Sequence, residues 1–178
     1  MQIEHANEGM DVSEERRKVG PEPLSEEAWA PFGWLPVADT DPRDGDHRMT
    51  FAWDDVHVNI IGHARSEVPE TSDGLRCLML YRHDTHTQSV MSLDVPAVIA
   101  VAPAAVEFSD PADVESIHVF RLEPLEPLVL HQGTWHWGPF PVDAAAVRLF
   151  NVQGLRYAED NTCVDLAARG LDVDVQLL

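Results

Sequence analysis

Beyond residue 48, the chain consists of short runs of β-branched and aromatic residues bounded by Gly, Pro and Asp. Apolar and polar residues alternate over 56–60, as expected for a strand with one buried face. Strands are predicted at 49–53, 57–61, 76–82, 89–93, 97–102, 116–121, 127–130, 147–152 and 162–166. Because no long helical periodicity separates these runs, the pattern predicts an all-β sandwich or closed barrel rather than an alternating α/β fold.

The N-terminal region has a different pattern. Residues 1–20 are polar and lack a periodic apolar face, which predicts a flexible tail, with a short helix over 12–18 as the alternative. Ser25 followed by two glutamates is a typical helix start, and Trp29 and Phe32 would share the buried face of a short helix. With 178 residues, we expect one β-barrel domain over 21–178.

The net charge of the chain limits the classes of molecule that it is expected to bind. The chain has 31 acidic and 12 basic residues and a formal net charge of −19. This balance argues against nucleic acid and against anionic membrane surfaces as partners. The sequence has no secretory signal pattern and no apolar run of membrane-spanning length, so a cytoplasmic location is predicted. For an anionic ligand, the candidate cations are Arg65, Arg76, Arg82 and Arg148.

Two segments concentrate histidines and aromatic residues: YRHDTHTQ over 81–88 and LVLHQGTWHWGPFPV over 128–142. Because side chains alternate along a strand, Tyr81 and His83 should share one face, and Gln88 should begin the partner strand on that face. His131 and His136 come about fifty residues later, and they are expected to arrive from a distant part of the sheets. If the sheets close, both segments can meet in one cavity.

The spacing Tyr81-x-His83-x4-Gln88, followed by His131-x-Gly133-x-x-His136, resembles the two motifs of cupin proteins. This resemblance implies a double-stranded β-helix barrel that binds a divalent metal ion such as Ni, Zn, Mn or Fe. His83, Gln88 and His136 would be the ligands, with His86 as a substitute. Tyr81 and Gln88 stand where His and Glu are usual in the first motif.

A closer resemblance, over roughly 23–170, is to the ureidoglycolate lyase family. It is carried by PLSEEAWAPFG, HDTHTQSVMSLD, HQGTWHWGPFPV and Asp160-Asn161 followed by Cys163. It implies a homodimer that cleaves (S)-ureidoglycolate, a small anion, to glyoxylate and urea. His83 and His136 would act in catalysis, as acid–base groups or metal ligands. The implied substrate-binding residues are Gln88, His131, Trp135, Asn161 and Tyr81.

Several alternatives remain open at this stage. Tyr81 stands where the family usually has Glu, and the family's early Asn-Gly and basic-aromatic segment is missing. His131 is equally well explained as a core histidine, and Tyr81 as barrel filling. Of Trp135 and Trp137, one is expected in the core and only one in a pocket. The competing functions are a metal-dependent cupin isomerase or dioxygenase, and a cupin that binds a small metabolite without turnover.

Overall fold

The fold is built almost entirely from short strands. A computed structural model of the protein describes residues 16–178. One α-helix, α1 (Glu26–Trp29), and three 3-10 helices (Arg65–Glu67, Pro111–Ser116 and Ala167–Arg169) accompany the strands. The strands are β1 (Lys18–Val19), β2 (Glu22–Pro23), β3 (Gly33–Trp34), β4 (Val56–Ala64), β5 (Gly74–Cys77), β6 (Met79–Arg82), β7 (Gln88–Ser92), β8 (Ala97–Ala102), β9 (His118–Leu122), β10 (Pro127–Leu130), β11 (Trp135–Pro141), β12 (Ala146–Gly154), β13 (Thr162–Asp165) and β14 (Val173–Gln176).

The strands form three sheets. A six-stranded sheet has the order β13-β6-β11-β8-β9-β2, and a five-stranded sheet has the order β3-β10-β7-β12-β4. A smaller sheet has the order β1-β14-β5. The pairs β1–β14 and β2–β9 are parallel, and the other pairs are antiparallel. The all-β, cupin-like fold predicted from the sequence is confirmed.

The central strand of the six-stranded sheet, β8, is buried on both faces. All six residues of β8 are buried, which explains why Ala97–Ala102 is a continuous apolar run. Ile99 and Val101 pack with Leu130 of the five-stranded sheet. The alternate residues of β8 pack on the other side, in the cluster that contains Trp135. The sheet therefore separates two layers of core, and only one of them faces the five-stranded sheet.

The predicted helix is present, and most predicted strands lie close to observed ones. The Ser25 side chain accepts a hydrogen bond from the Ala28 backbone N–H at 3.2 Å, and both Trp29 and Phe32 are buried. The strand predicted at 49–53 is wrong, because this segment contributes only a bridge between Phe51 and His86. Strand β11 was not predicted, since its glycine and two prolines are typical of turns.

The structure places the N-terminal boundary of the fold earlier than residue 20. Residues 1–15, most of the predicted tail and half of the alternative helix, lie outside the described residues. Arg16 donates a hydrogen bond to Asp172 at 2.7 Å, and Lys18–Val19 pairs with β14. Residues 16–20 therefore belong to the smaller sheet. Over 16–178, the helices are all too short and too polar to cross a bilayer.

Candidate active site

A cavity of about 540 Å³ opens between the two larger sheets, a volume suited to a small metabolite. The side of the six-stranded sheet contributes Tyr81, His83, His136, Trp137 and Phe140 to its lining. The five-stranded sheet contributes Asn59, Ile61, Gln88 and Gln153. The lining also includes Glu67, Arg76, Tyr157 and Asn161. His83 and His136 thus lie on the first side of the cavity, and the second side carries amides together with the imidazole of His63 on β4.

The strand register explains which residues face the cavity. His136 lies directly opposite Tyr81 on β6 and opposite Val101 on β8. Residues directly opposite each other share one face of a sheet. Because Val101 packs toward the five-stranded sheet, His136 is on the cavity side. Trp135, one residue earlier, lies opposite Ala102 and faces the other core layer.

His83 and His136 form the imidazole side of the cavity, with their ring centroids 5.4 Å apart. The Nδ1 atom of His83 lies 2.9 Å from the Asp160 carbonyl oxygen, and that of His136 lies 3.1 Å from the Thr134 carbonyl oxygen. A carbonyl can only accept, so each Nδ1 must carry the proton and donate it. In the neutral form of each ring, Nε2 then holds a lone pair. No residue in 16–178 donates a hydrogen bond to either Nε2.

Both rings are held in their neutral form at neutral pH. Desolvation, and after it the neighbouring His83, lower the pKa of His136 to about 4. Desolvation also lowers the pKa of His83, although its hydrogen bond to Asp160 acts in the opposite direction. The site therefore offers two imidazole nitrogens that can accept a proton or bind a metal ion.

Gly133 connects the two histidine segments. Its φ of +77° lies in the left-handed region that favours glycine, and its N–H donates to the His83 carbonyl oxygen at 2.7 Å. A tight turn at this position lets the chain enter β11 with His136 on the cavity face. The left-handed backbone of this turn therefore explains the glycine in the spacing His131-x-Gly133-x-x-His136.

Asp160 organises the turn that carries His83. Its carboxylate accepts hydrogen bonds from the backbone N–H groups of Asp84 and Thr85 at 3.0 and 2.8 Å, and from the Thr85 hydroxyl. Burial alone would raise the pKa of Asp160, but these hydrogen bonds hold it below its usual value. His86 Nδ1 lies 3.1 Å from the same carboxylate. The Asp160 side chain and backbone together fix both histidines of the 81–88 segment.

His86 lies behind His83 and is 2% exposed. The two rings stack with their centroids 4.5 Å apart, and Nε2 of His86 is buried without a hydrogen-bond partner among the described residues. Desolvation and then the adjacent His83 lower the pKa of His86. His86 is thus a third neutral imidazole next to the site.

The donor chemistry fits a divalent metal ion in two alternative ways. One potential ligand atom each from His83, His86 and Asp160 lies within 4.8 Å of the others. In the arrangement observed, however, the oxygens of Asp160 already accept several hydrogen bonds, and an ion here would replace some of them. The Nε2 atoms of His83 and His136, with Oε1 of Gln88, form a second set with free lone pairs. Imidazole and amide ligands suit ions such as Ni²⁺, Zn²⁺, Mn²⁺ and Fe²⁺.

The opposite side of the cavity is a row of hydrogen-bonded amides. Gln88 Nε2 donates to Asn151 Oδ1 at 2.8 Å and to Gln153 Oε1 at 3.4 Å. Asn151 Nδ2 in turn donates to Asn59 Oδ1 at 2.8 Å. Oε1 of Gln88 is buried and has no partner among the described residues.

Among the residues that the structure describes, Arg76 is the one arginine or lysine lining the cavity. Its guanidinium lies 2.9 Å from Asp174 and 3.9 Å from Asp172. The other three candidate cations are engaged elsewhere. Arg65 pairs with Glu70, Arg148 pairs with Asp94, and Arg82 lies over the Trp135 ring.

The structure brings together five of the seven residues predicted for the site. Tyr81, His83, Gln88, His136 and Asn161 line one cavity.

The other two lie elsewhere. His131 is exposed and packs against Trp34, with ring centroids 5.4 Å apart, because the chain turns outward after β10. Trp135 is 4% exposed and donates to the Val106 carbonyl oxygen at 2.8 Å in the second core layer. These positions correct the prediction that both residues line the pocket.

Several residues that shape the cavity were not predicted from the sequence. Asn59 and Asn151 come from strands that were predicted, and Gln153 comes directly after the strand predicted at 147–152, but their amides were not singled out. Their signal is present in the pattern, because polar residues take the inward positions 151 and 153 that follow buried Leu149 on β12. Asp160 was noted only as part of a family element.

Comparison with known families identifies the family of the chain. The model of the family "Ureidoglycolate lyase" matches residues 47–173, which is well over half of the chain and includes all five cavity residues that the sequence predicted. A comparison with curated proteins finds no match. The matched segment begins later than the expected resemblance, so α1 and the PLSEEAWAPFG segment lie outside it. The chain belongs to the ureidoglycolate lyase family.

Proposed function

We propose that this protein cleaves ureidoglycolate, or a closely related hydroxy-acid derivative, to glyoxylate and urea. The observation that carries the proposal is the pair of neutral imidazoles, His83 and His136, whose free Nε2 atoms belong to one cavity in a member of this family. The cavity contains both a proton acceptor and amide groups that match a ureido ligand.

The reaction requires one proton to move between two atoms of the substrate. The hydroxyl O–H bond breaks, and the oxygen forms the aldehyde C=O of glyoxylate. The C–N bond breaks, and its electron pair stays on the nitrogen of the leaving urea, which takes up a proton. A neutral imidazole at His136 or His83 can accept the hydroxyl proton at Nε2 and deliver it to that nitrogen. The enzyme ends the cycle in the protonation state in which it began.

Two residues are suited to the substrate carboxylate. Arg76 supplies the positive charge, and its ion pair with Asp174 restricts its motion. Asn161 lines the same cavity and offers an amide N–H. The carboxylate, the ureido group and the reacting hydroxyl would then be held by different parts of the cavity.

A divalent metal ion fits the same site. It would be held by His83 and His136 with Gln88, or by His83 and His86 with Asp160, and it would supply polarisation of the forming carbonyl. Metal analysis of the purified protein tests this, and the variants His136→Gln and His86→Gln distinguish the two donor sets. Loss of bound metal in one variant alone identifies the set.

The activity is tested by incubating the purified full chain with (S)-ureidoglycolate and measuring glyoxylate and urea. We expect both products in equal amounts, at a rate above spontaneous decomposition, with or without added Ni²⁺, Zn²⁺, Mn²⁺ or Fe²⁺. Thermal stabilisation by the substrate without any product would contradict the proposal and would favour a metabolite-binding role instead.

A further inference from the structure

We propose that the amide row of Gln88, Asn151, Asn59 and Gln153 is a specificity site for the ureido end of the substrate. In this site, Oε1 of Gln88 accepts an N–H of the terminal NH₂ of the ureido group, and Asn151 is a positioning residue that sets the orientation of the Gln88 amide. The inference rests on the proposed function, which supplies the substrate. It identifies the part of the cavity that selects a ureido group over other acyl groups.

The hydrogen bonds of Gln88 leave one atom for a ligand. Its Nε2 donates to Asn151 Oδ1 at 2.8 Å and to Gln153 Oε1 at 3.4 Å, so both of its N–H groups have acceptors. Its Oε1 has no partner among the described residues, although Gln88 is only 7% exposed. Buried polar atoms are nearly always hydrogen-bonded, so an unpartnered oxygen lining a cavity indicates a donor supplied by a ligand.

The orientation of the Gln88 amide is fixed by its neighbours. Rotating it by half a turn would bring Oε1 against the oxygens of Asn151 and Gln153, which are acceptors. Rotating Asn151 as well would break its 2.8 Å hydrogen bond to Asn59 Oδ1. Asn59 and Asn151 are directly opposite each other on β4 and β12, so the register of the sheet maintains this bond. Reversing Gln88 would therefore require Asn151, Asn59 and Gln153 to reverse with it. In the arrangement observed, Gln88 presents Oε1 to the cavity, and we assign this oxygen to the ureido group rather than to a metal ion.

Asn151 is fully buried and is not part of the cavity lining, so it acts only through Gln88. A buried amide costs stability unless its groups are satisfied, and Asn151 satisfies both a donor and an acceptor within the row. An apolar residue would fill the same interior position with no polar group to satisfy. The buried amide of Asn151 is therefore explained by the polar ligand that Gln88 binds.

The chemistry of the row matches a ureido group. Such a group has three N–H donors and one carbonyl acceptor, and it is neutral. Gln88 provides the acceptor, and the cavity-lining amides of Asn59 and Gln153 are neutral partners of the same kind. An acyl group that ends in a methyl would leave Gln88 Oε1 unpartnered, and sites of this kind reject ligands that lack the required donor.

Two non-reacting ligands test the inference directly. N-carbamoylglycine has the ureido group and the carboxylate but no hydroxyl, so it has no proton for the lyase reaction. N-acetylglycine has a methyl in place of the terminal NH₂. We expect the wild-type full chain to bind the carbamoyl compound at least about tenfold more tightly, measured by calorimetry or by competitive inhibition.

Variants then distinguish a role of Asn151 in positioning Gln88 from a role in the stability of the fold. Asn151→Leu and Gln88→Met should reduce the preference to nearly one, whereas Asn151→Asp, which keeps an acceptor for Gln88 Nε2, should preserve most of it. Gln132→Met changes an exposed glutamine and should leave the preference unchanged. If Asn151→Leu does not fold, Gln88→Met decides.

An unchanged preference in a folded Asn151→Leu or Gln88→Met variant, or no preference in the wild type, would overturn the inference. Its failure is distinguishable from failure of the proposed function. Glyoxylate release with no preference between the two ligands rejects the specificity site alone. A clear preference without glyoxylate release rejects the lyase reaction and supports the ureido site.

Discussion

The backbone carbonyl oxygen of Asp160 lies 2.9 Å from Nδ1 of His83, across 77 positions of the chain. This contact places the proton of the neutral ring on Nδ1 and leaves Nε2 free for chemistry. The carboxylate of the same residue holds the turn that follows His83. One residue near the C-terminal end of the matched family segment therefore fixes both the tautomer and the backbone of a residue in the first motif.

The first prediction concerns the stability that Asp160 supplies. Asp160→Ala leaves the partly buried N–H groups of Asp84 and Thr85 without their acceptor. The free energy of unfolding, measured by urea denaturation, should fall by about 3 kcal/mol. Asp143→Ala, at an exposed position, should change it by less than about 0.5 kcal/mol. Equal effects of the two substitutions would show that the carboxylate does not organise the turn.

A second prediction separates the structure from the family resemblance. The resemblance assigns His131 to the substrate pocket, but the structure places it at the surface beside Trp34. His131→Gln should therefore keep kcat and KM for ureidoglycolate within about twofold of the wild type, since surface changes are usually small in effect. A decrease of more than tenfold in kcat/KM, in steady-state assays of the folded variant, would show that His131 belongs to the active site.

The third prediction concerns pH. An unfolded histidine binds a proton near its ordinary pKa of about 6.5, whereas folded His136 binds one only near its pKa of about 4. Between these values the unfolded state holds more protons, so the stability present above pH 6.5 is lost as the pH falls toward 4. The lowered pKa values of His83 and His86 act in the same direction.

Thermal unfolding across this range provides the test. His136→Gln should show a shallower loss of Tm between pH 6.5 and 4 than the wild type. His57→Gln, at a position outside the cavity lining, is the matched control and should follow the wild-type curve. A His136→Gln curve parallel to the wild type would mean that His136 is not held neutral by burial.

The fourth prediction is the homodimer, which the family resemblance suggests. Strand β4 is at the end of its sheet, and Val56, Val58 and Ile60 form an exposed apolar row on it, each between 53% and 56% exposed. With a net charge of −19, two copies repel except through surface that lacks carboxylates. We expect a second copy to cover this row.

Light scattering coupled to size exclusion measures the assembly. The wild type should have twice the chain mass of 19.8 kDa, and Ile60→Glu should shift it to the monomer mass. Leu125→Glu introduces the same charge at another exposed leucine and should leave the dimer intact. A monomeric wild type would contradict this prediction.

The period-two pattern of the strands, together with the motif spacing and a closed barrel, predicted that the two histidine segments meet. Tyr81 and His83 share a face because alternation is a property of the strand backbone, and His136 lies opposite Tyr81 once the sheets close. The convergence of His83, Gln88 and His136 therefore followed from local structure together with the motif spacing.

Other features depend on long-range register, which a single sequence does not specify. Trp135 and His136 are adjacent, and only the pairing of β11 with β8 determines which of them faces the cavity. The amide row was not predicted for the same reason. The pattern places Asn59 toward solvent, and its hydrogen bond to Asn151 becomes apparent only when β4 and β12 are paired.

The central claim is that His83 and His136 perform the proton transfer of a lyase reaction, and glyoxylate release from (S)-ureidoglycolate tests it most directly. The wild type should release glyoxylate above the spontaneous rate. His83→Gln and His136→Gln should each lower kcat/KM by about 10²–10⁴-fold while remaining folded, and His57→Gln should not. No release by the wild type with any of the four metals, or full activity in both cavity variants, would contradict the account.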